Sequence, residues 1–261
     1  MDTGLKDKVA IVTGGAMGLG LAIAFALARE NVKVVIADIK QIEAQKAVDI
    51  LQGLGCMAVA IKVDVRKSAQ IQAMIDKIIR EFGRIDILIN NAGIVGPQGP
   101  WVELSEEGFD LVVGINFKGI FLCARAIIPH MIKQKSGKII ITASCASKTG
   151  EPFNGVYSAT KGAIWNMTQS LAREVGRYNI NVNAICPAAM DTDLMEQVYN
   201  ERSAYFGLSP DELREQIRSS FVLPRALTVE DAANLAVFLA SDKADMITGQ
   251  GINITGGIEV H

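Results

Sequence analysis

The chain has 261 residues, of which 49% are hydrophobic and 21% are charged, and its formal net charge is −2. This length is near the upper end for one domain and allows a sizeable core, and the composition excludes a disordered or highly charged chain. Because no Lys/Arg run stands out, the charge pattern also argues against a nucleic-acid or anionic-membrane partner.

The cysteines and histidines narrow the chemistry further. Four cysteines are scattered without a C-x-x-C pair, which is typical of reduced thiols in a cytosol. Only His130 and His261 are present, so neither a histidine-rich metal site nor a Ser-His-Asp triad is expected, and we predict no metal. The N-terminus carries no secretory apolar region, and no apolar run looks long enough to span a bilayer. We therefore expect a soluble, cytoplasmic protein.

Short β-branched runs alternate with longer amphipathic stretches along the chain. The predicted strands are Lys8–Thr13, Val32–Ala37, Met57–Val63, Ile85–Ile89, Lys138–Thr142, Ile180–Ile185 and Gly251–Ile254. The predicted helices include Leu19–Arg29, Ile42–Leu51, Ser68–Phe82, Phe109–Lys133 and Ala159–Val175. Several strands are apolar on successive residues, as in parallel strands covered on both faces. The alternation predicts an α/β fold: one domain over residues 1–261, a Rossmann-type, doubly wound parallel sheet of about seven strands with helices on both faces.

A glycine-rich turn follows the first predicted strand. Residues 13–20 read TGGAMGLG and lead at once into a helical pattern. Glycines allow a tight turn and let a pyrophosphate approach the helix N-terminus, where free N–H groups and the helix dipole attract negative charge. The spacing is G-x-x-x-G-x-G, and its position between a strand and a helix favours a dinucleotide site over a mere tight turn. The predicted cofactor-binding residues here are Gly14, Met17, Gly18, Leu19 and Gly20.

The second predicted strand leads to Asp38, about twenty residues after the glycines, where dinucleotide folds place an acidic residue. Its carboxylate can accept hydrogen bonds from both adenosine ribose hydroxyls and would repel a 2′-phosphate. Neither Gly15 nor Met17 is basic, and Lys40 is expected to point to solvent. The sequence therefore favours NAD over NADP. The alternative is a solvated Asp38 that caps the following helix.

The segment Asp191–Pro224 departs from the regular alternation. It is polar, contains two predicted short helices and lies between the last two predicted strands. An irregular segment of this length often forms a mobile lid over a site. We therefore predict a substrate lid over residues 191–224, within the single domain.

With these elements placed, the chain resembles the short-chain dehydrogenase/reductase family over essentially its whole length. The glycine spacing is the family's form, and Asn90-Asn91-Ala92-Gly93 ends the fourth predicted strand as the family's Asn-Asn-Ala-Gly motif does. The two asparagines can equally well pin neighbouring strand ends. The resemblance implies catalytic residues at Asn116, Ser144, Tyr157 and Lys161. It implies further cofactor contacts at Asp64, Val65, Asn91, Ala92, Gly93, Tyr157, Lys161, Pro187 and Thr192.

The spacing of Tyr157 and Lys161 suits proton transfer. They are four residues apart on a predicted helix, so their side chains share one face. A free phenol has a pKa of roughly 10, and each nearby positive charge, from Lys161 or an oxidised nicotinamide, can lower it by roughly 1–3 units. Ser144 can hydrogen-bond the substrate oxygen and steady charge in the transition state. By resemblance, Asn116 anchors a water that connects Lys161 to solvent.

One position departs from the family's pattern. After Pro187, most members carry Gly, whereas this chain has Ala188. If the glycine were needed for a positive φ, alanine would strain the loop. If it only allowed close approach, one methyl group would shift the nicotinamide slightly.

The substrate is less clearly indicated than the reaction. The lid and the C-terminal residues look most like those of family members that oxidise sugar alcohols, sugar phosphates or vicinal diols, and the resemblance also implies a homotetramer. Glu151 can accept a hydrogen bond from a second hydroxyl of a polyol, or it is a solvated loop carboxylate. The predicted substrate residues are Ser144, Glu151, Phe153, Tyr157 and Met190.

We therefore predict an NAD-dependent oxidoreductase that interconverts a secondary alcohol and its ketone by hydride transfer, with Tyr157 as general acid/base. The alternative within enzymes is a reductase of 3-oxoacyl thioesters or other carbonyls, which shares the catalytic residues. The alternative outside enzymes is a catalytically silent NAD-binding regulator. Such a protein would be expected to lack Ser144, Tyr157 or Lys161, and this chain has all three.

Overall fold

The seven predicted strands form one parallel sheet in the computed structural model, which describes residues 2–260. The strands are β1 (Val9–Thr13), β2 (Lys33–Asp38), β3 (Ala58–Lys62), β4 (Ile87–Asn90), β5 (Gly137–Thr142), β6 (Ile180–Pro187) and β7 (Gly251–Ile254). Their order in the sheet is β3-β2-β1-β4-β5-β6-β7. The order reverses between β1 and β4, and a doubly wound sheet binds its ligands beyond the carboxyl ends of the strands at such a switch point.

Helices cover both faces of the sheet. They are α1 (Gly18–Arg29), α2 (Gln41–Gly53), α3 (Ser68–Phe82), α4 (Glu106–Val113), α5 (Gly119–Gln134), α6 (Gly155–Val175), α7 (Asp193–Arg202), α8 (Pro210–Ser219) and α9 (Val229–Ala240). The buried side chains of α1, α2 and α9 form one apolar core, and those of α3, α5 and α6 form a second core on the opposite face. The predicted α/β fold is confirmed.

The predicted helix Phe109–Lys133 begins earlier and is interrupted. Helices α4 and α5 are joined by one π-helical turn, Gly114–Lys118, to give a continuous helix from Glu106 to Gln134. By length and composition this helix could cross a membrane, which corrects the expectation that no segment is long enough. In the fold, α5 instead packs its apolar side chains, among them Cys123 and Ile127, into the core.

Helix α6 also begins before its predicted start. It starts at Gly155 rather than Ala159, so Tyr157 lies in its first turn. The predicted lid segment contains α7 and α8, which agrees with the two short helices expected there.

Candidate active site

A cleft of about 1060 Å³ runs along the carboxyl ends of the strands. It is lined by most of the residues that the sequence singles out: Gly14, Met17, Gly18, Leu19, Asp38, Asp64, Val65, Asn91, Ala92, Gly93, Ser144, Glu151, Tyr157, Lys161, Pro187, Met190 and Thr192. Three other predicted site residues, Gly20, Asn116 and Phe153, lie close to this region but do not line the cleft. The structure therefore brings together residues that are up to 178 positions apart in the chain (Gly14 to Thr192).

The glycine turn and the first turn of α1 form one end of the cleft. Gly14 has a φ of +62°, and its N–H donates to the carbonyl of Ala37 at 2.8 Å, which ties the turn to β2. Gly20 packs α1 against the turn, because a Cβ there would lie 2.1 Å from the Gly14 carbonyl oxygen. The N-terminus of α1 has neither a side-chain cap nor an acidic residue in its first turn. Its N–H groups and dipole therefore suit a pyrophosphate.

Asp38 lies at the end of β2, beside this turn, and is buried. One carboxylate oxygen accepts from the N–H of Ala16 at 3.1 Å and the other from the N–H of Lys40 at 2.9 Å. A carboxylate has about four acceptor positions, so capacity remains for two ribose hydroxyls. Lys40 is exposed, and its ammonium lies 3.2 Å from the sulfur of Met17. Together, the turn and Asp38 fit an adenine dinucleotide.

The side chain of Arg66 pairs with Asp64, a contact that sequence reasoning missed. Its guanidinium makes a bidentate pair with the Asp64 carboxylate, with Nε–Oδ1 at 2.9 Å and Nη2–Oδ2 at 2.7 Å. This hydrogen bond is the main reason that the pKa of Asp64 lies below its ordinary value. The only signal in the sequence was the spacing of two, which is too common to single out a pair.

Of the two asparagines at the end of β4, Asn91 holds strand ends together, as one of the two interpretations allowed. The Asn91 side chain donates to the carbonyls of Thr13 and Gly14 at 3.2 and 3.1 Å, and it accepts from the hydroxyl of Thr142 at 3.1 Å. It thus connects the ends of β1, β4 and β5. Asn90 is buried and donates weakly to the carbonyl of Ile120 at 3.4 Å.

Ser144, Tyr157 and Lys161 converge at the centre of the cleft. Ser144 is buried just after β5, and its hydroxyl accepts from the N–H of Ala146 at 3.2 Å, which fixes its direction. Lys161 is buried one helical turn after Tyr157, with Nζ 5.4 Å from the centroid of the tyrosine ring. The same Nζ donates to the carbonyl of Thr142 at 2.7 Å. Strand β5 therefore positions both Ser144 and the lysine.

Burial shifts the two titratable groups of this centre in opposite directions. It raises the pKa of the Tyr157 phenol well above its ordinary value; a hydrogen bond with Ser144 lowers this pKa, and the nearby Glu151 carboxylate raises it further. Burial lowers the pKa of Lys161 to about 8. Both shifts favour the neutral form, because a charged group is costly at low dielectric. In this structure burial is the largest influence on the pKa of Tyr157.

Asn116 lies in the middle of the π-helical turn and is fully buried. Its side chain accepts from the N–H of Ile94 at 2.9 Å and donates to the carbonyl of Ile94 at 2.8 Å. A weaker contact of 3.4 Å reaches the hydroxyl of Thr160. These bonds hold the chain after β4 against α6, next to Lys161. Single π-helical turns often occur at functional sites.

The loop after β6 is not strained by its alanine. Ala188 is buried and is not among the residues with a positive φ, and its N–H donates to the carbonyl of Ile254 at 3.2 Å. Thr192 caps α7 by accepting from the N–H of Met195 at 3.4 Å. Met190 forms a parallel bridge with Leu227. The departure from the family's glycine therefore leaves the loop backbone in an ordinary conformation.

A polar cluster lies on the substrate side, next to Tyr157. One oxygen of the Glu151 carboxylate accepts from the Arg202 guanidinium at 2.9 Å and from the Asn154 amide at 3.0 Å, and the side chain is 31% exposed. The amide of Gln98 donates to the oxygen of Asn154 at 3.3 Å. Two buried atoms of this cluster, Nε of Arg202 and Oε1 of Gln98, have no hydrogen-bond partner among the described residues.

Sequence reasoning missed Arg202, Asn154 and Gln98. No spacing in the sequence connects Arg202 with Glu151, 51 residues earlier. Phe153, predicted to contact substrate, instead stacks on the lid residue Tyr205 with 4.9 Å between ring centroids.

Comparisons with known proteins agree with this geometry. A family model described as enoyl-(acyl carrier protein) reductase matches residues 14–259. Galactitol 2-dehydrogenase of Agrobacterium fabrum is 40% identical over 254 residues, which cover 97% of this chain and 98% of that protein. A 3-oxoacyl-[acyl-carrier-protein] reductase of Thermotoga maritima is 33% identical over 256 residues, 98% of this chain and 99% of that protein. The crystal structure of levodione reductase matches with a TM-score of 0.92 at 31% identity, covering 97% of each chain.

The fold, the site and these relatives together define an oxidoreductase that acts on a CH–OH group or the corresponding carbonyl. More specifically, the chain belongs to the short-chain dehydrogenase/reductase family. The resemblance inferred from its motifs is confirmed.

Proposed function

We propose that the protein is an NAD-dependent dehydrogenase that interconverts a polyol, sugar alcohol or vicinal diol and its ketone, with Tyr157 as general acid/base. The observation that carries the choice of cofactor is Asp38, buried beside the glycine turn and facing the cleft. Its negative charge suits two ribose hydroxyls and opposes a 2′-phosphate. The exposed Lys40 ammonium contacts the sulfur of Met17 at 3.2 Å.

The polar cluster beside Tyr157 supports a substrate with more than one hydroxyl. A buried donor on Arg202 and a buried acceptor on Gln98 lack partners, and each such group costs about 1–3 kcal/mol. Glu151, which lines the cleft, keeps further acceptor positions. The 40% identical relative is a galactitol 2-dehydrogenase, which is consistent with a polyol.

The residues of the centre divide the proton chemistry among them. The Ser144 hydroxyl orients the substrate oxygen, and Tyr157 takes the hydroxyl proton in oxidation or returns it in reduction. Lys161, held by the Thr142 carbonyl, places a titratable amine beside the phenol ring. The nicotinamide, when bound, accepts or donates the hydride. Because burial opposes both charged forms, any positive charge added at this centre favours the phenolate.

The test is absorbance at the reduced-nicotinamide band, with purified protein, NAD or NADP, and a panel of sugar alcohols, vicinal diols and simple secondary alcohols. We expect turnover with NAD, much slower turnover with NADP, and faster oxidation of alcohols that carry a neighbouring hydroxyl. A preference for NADP would contradict the role of Asp38. A preference for simple secondary alcohols would contradict the polyol assignment.

A second candidate is reduction of a 3-oxoacyl thioester, which the match to a 3-oxoacyl-[acyl-carrier-protein] reductase favours. The catalytic residues are the same, so only the substrate differs. Oxidation of reduced cofactor by a 3-oxoacyl thioester, faster than by any hydroxyketone, would establish this candidate. Binding of cofactor with no turnover in either direction would favour a silent regulator. A cytoplasmic location and a homotetramer stay predictions; sedimentation would test the latter.

A further inference from the structure

The end of helix α7 contacts the loop that precedes Tyr157. Arg202, the last residue of α7, donates from Nη1 to Glu151 at 2.9 Å and from Nη2 to the carbonyl of Pro152 at 3.2 Å. The Arg202 side chain is 11% exposed and that of Glu151 is 31% exposed, so the pair is partly shielded from solvent. A partly shielded pair is stronger than a fully exposed ion pair. The lid is thus tied to the catalytic loop by charge.

Aromatic rings reinforce this contact. Phe153 stacks on Tyr205 with 4.9 Å between centroids, and it meets Phe206 edge-on at 5.3 Å. Phe153 has a φ of +62°, which is unfavourable for a residue with a side chain. Such a conformation persists where its surroundings hold it in place. The shape of residues 151–153 therefore depends on the lid. We call Arg202, Glu151, Phe153, Tyr205 and Phe206 the latch.

The latch also sets the charge next to the phenol. The titratable groups around this centre are Cys145, Glu151, Lys161, Cys186, Arg202 and Glu259. Of the two that act on Tyr157 through their charge, the larger effect comes from Glu151, whose carboxylate disfavours the phenolate. A guanidinium 2.9 Å from that carboxylate offsets its charge. Without the guanidinium, the carboxylate would keep only the hydrogen bond from the Asn154 amide.

We propose that Arg202 is a positioning residue that couples closure of the lid to proton transfer, by pairing with Glu151 and so removing a negative charge from the surroundings of Tyr157. The inference rests on the proposed function for its reaction, and it extends that function from the groups that touch substrate to the lid. Under this proposal, the Tyr157 phenolate is most favoured when Arg202 is paired with Glu151.

The first test is the pH profile of kcat/KM for alcohol oxidation in Arg202→Gln, Arg202→Lys, Glu151→Gln and the Arg202→Gln/Glu151→Gln double variant. Arg202→Gln exposes the carboxylate charge, so the midpoint of the rising limb moves to higher pH by about half to one unit. At pH values below the midpoint, kcat/KM then falls about 3- to 10-fold. Arg202→Lys keeps the positive charge, so the midpoint of its pH profile should lie close to that of the unaltered protein. In the Glu151→Gln background, Arg202→Gln no longer moves the midpoint.

A purely structural role for Arg202 gives a different result. In that case kcat/KM falls at every pH without a shift of the midpoint, and the loss persists in the Glu151→Gln background; either result overturns the proposal. Arg225→Gln is the matched control, because Arg225 pairs with Asp231 and not with the latch. It should leave the profile unchanged.

The second test needs neither cofactor nor alcohol. Amide hydrogen exchange in residues 151–154 and 203–208 should be faster in Arg202→Gln than in the unaltered protein and in Arg225→Gln. Unchanged exchange overturns the latch, even if the protein is an active dehydrogenase. Faster exchange in a protein that turns over no alcohol or ketone overturns the proposed function and the coupling to Tyr157, and it leaves only the lid contact supported. The two failures are therefore distinguishable.

Discussion

At the glycine turn, α1 buries six of its residues and the turn is closed by backbone hydrogen bonds to the neighbouring strand. Across the cleft, α8 buries only Leu213 and is connected to its surroundings by arginine–carboxylate pairs, such as Arg214 with Glu196 at 2.6 Å. The half of the cleft at the glycine turn, the cofactor half, is held by backbone hydrogen bonding and core packing. The half at α7 and α8, the lid half, is held by side-chain contacts near solvent. Substitutions should therefore act on chemistry and stability in the cofactor half, and on substrate affinity in the lid half.

The largest effect is expected at the point where the two halves meet. Tyr157→Phe removes the group that exchanges the proton, so kcat should fall about 10²- to 10⁴-fold. Cofactor affinity, measured by fluorescence of the reduced nicotinamide, should be nearly unchanged, because the glycine turn is untouched. If the variant keeps more than about a tenth of the activity, another group transfers the proton.

The next effect concerns the cofactor half. Asp38→Asn removes the charge and keeps one acceptor oxygen, which can replace only one of the two carboxylate oxygens that accept from the N–H groups of Ala16 and Lys40. The ratio of kcat/KM for NAD to that for NADP should fall about 10- to 100-fold, because repulsion of the 2′-phosphate is lost. Asp49→Asn, on the exposed face of α2, is the control. An unchanged ratio would show that charge at Asp38 does not select the cofactor.

Packing beneath the glycine turn gives a smaller, structural effect. A Cβ at Gly20 would lie 2.1 Å from the Gly14 carbonyl oxygen, so Gly20→Ala should lower the free energy of unfolding by about 1–3 kcal/mol. Gly53, at the end of α2, has open space at the same position. Gly53→Ala should be neutral or stabilise by up to about 1 kcal/mol. Equal losses in denaturant unfolding of both variants would contradict the close packing.

The smallest effect is expected in the lid half. Arg214→Gln breaks exposed pairs with Glu196 and Asp211, and exposed pairs contribute little to stability. The Tm should not change measurably, and KM for the alcohol should rise modestly with kcat retained. A decrease in Tm of more than about 2–4 °C corresponds to roughly 1 kcal/mol in a chain of this size. Such a decrease would contradict the expectation that the lid half contributes little to stability.

The same contrast explains what the sequence could predict. All seven strands and the topological class follow from apolar runs and turn residues, because a parallel sheet covered on both faces leaves a strong local signal. The positions of Gly14, Asp38 and Ser144 at strand ends follow from the same pattern. The close approach of these residues in one cleft is then a geometric consequence of a parallel sheet.

The lid contacts had no comparable signal. Arg202 and Glu151 are paired by tertiary structure across 51 residues, and neither periodicity nor a motif connects them. The extent of burial that raises the pKa of Tyr157 also has no signal in the sequence, which shows only the spacing to Lys161. The start of α6 was placed four residues late, since Gly155 and Asn154 read as loop residues.

The π-helical turn at Gly114–Lys118 constrains how this chain can change its length. A π-helical turn holds one residue more than the α-helical turn it replaces. Deleting one residue here would restore a regular α-helix and change the direction of the side chains within the turn. The two hydrogen bonds between Asn116 and Ile94 depend on that direction and would be lost. Insertions and deletions that surface loops tolerate should therefore be rejected at this point, deep within a helix.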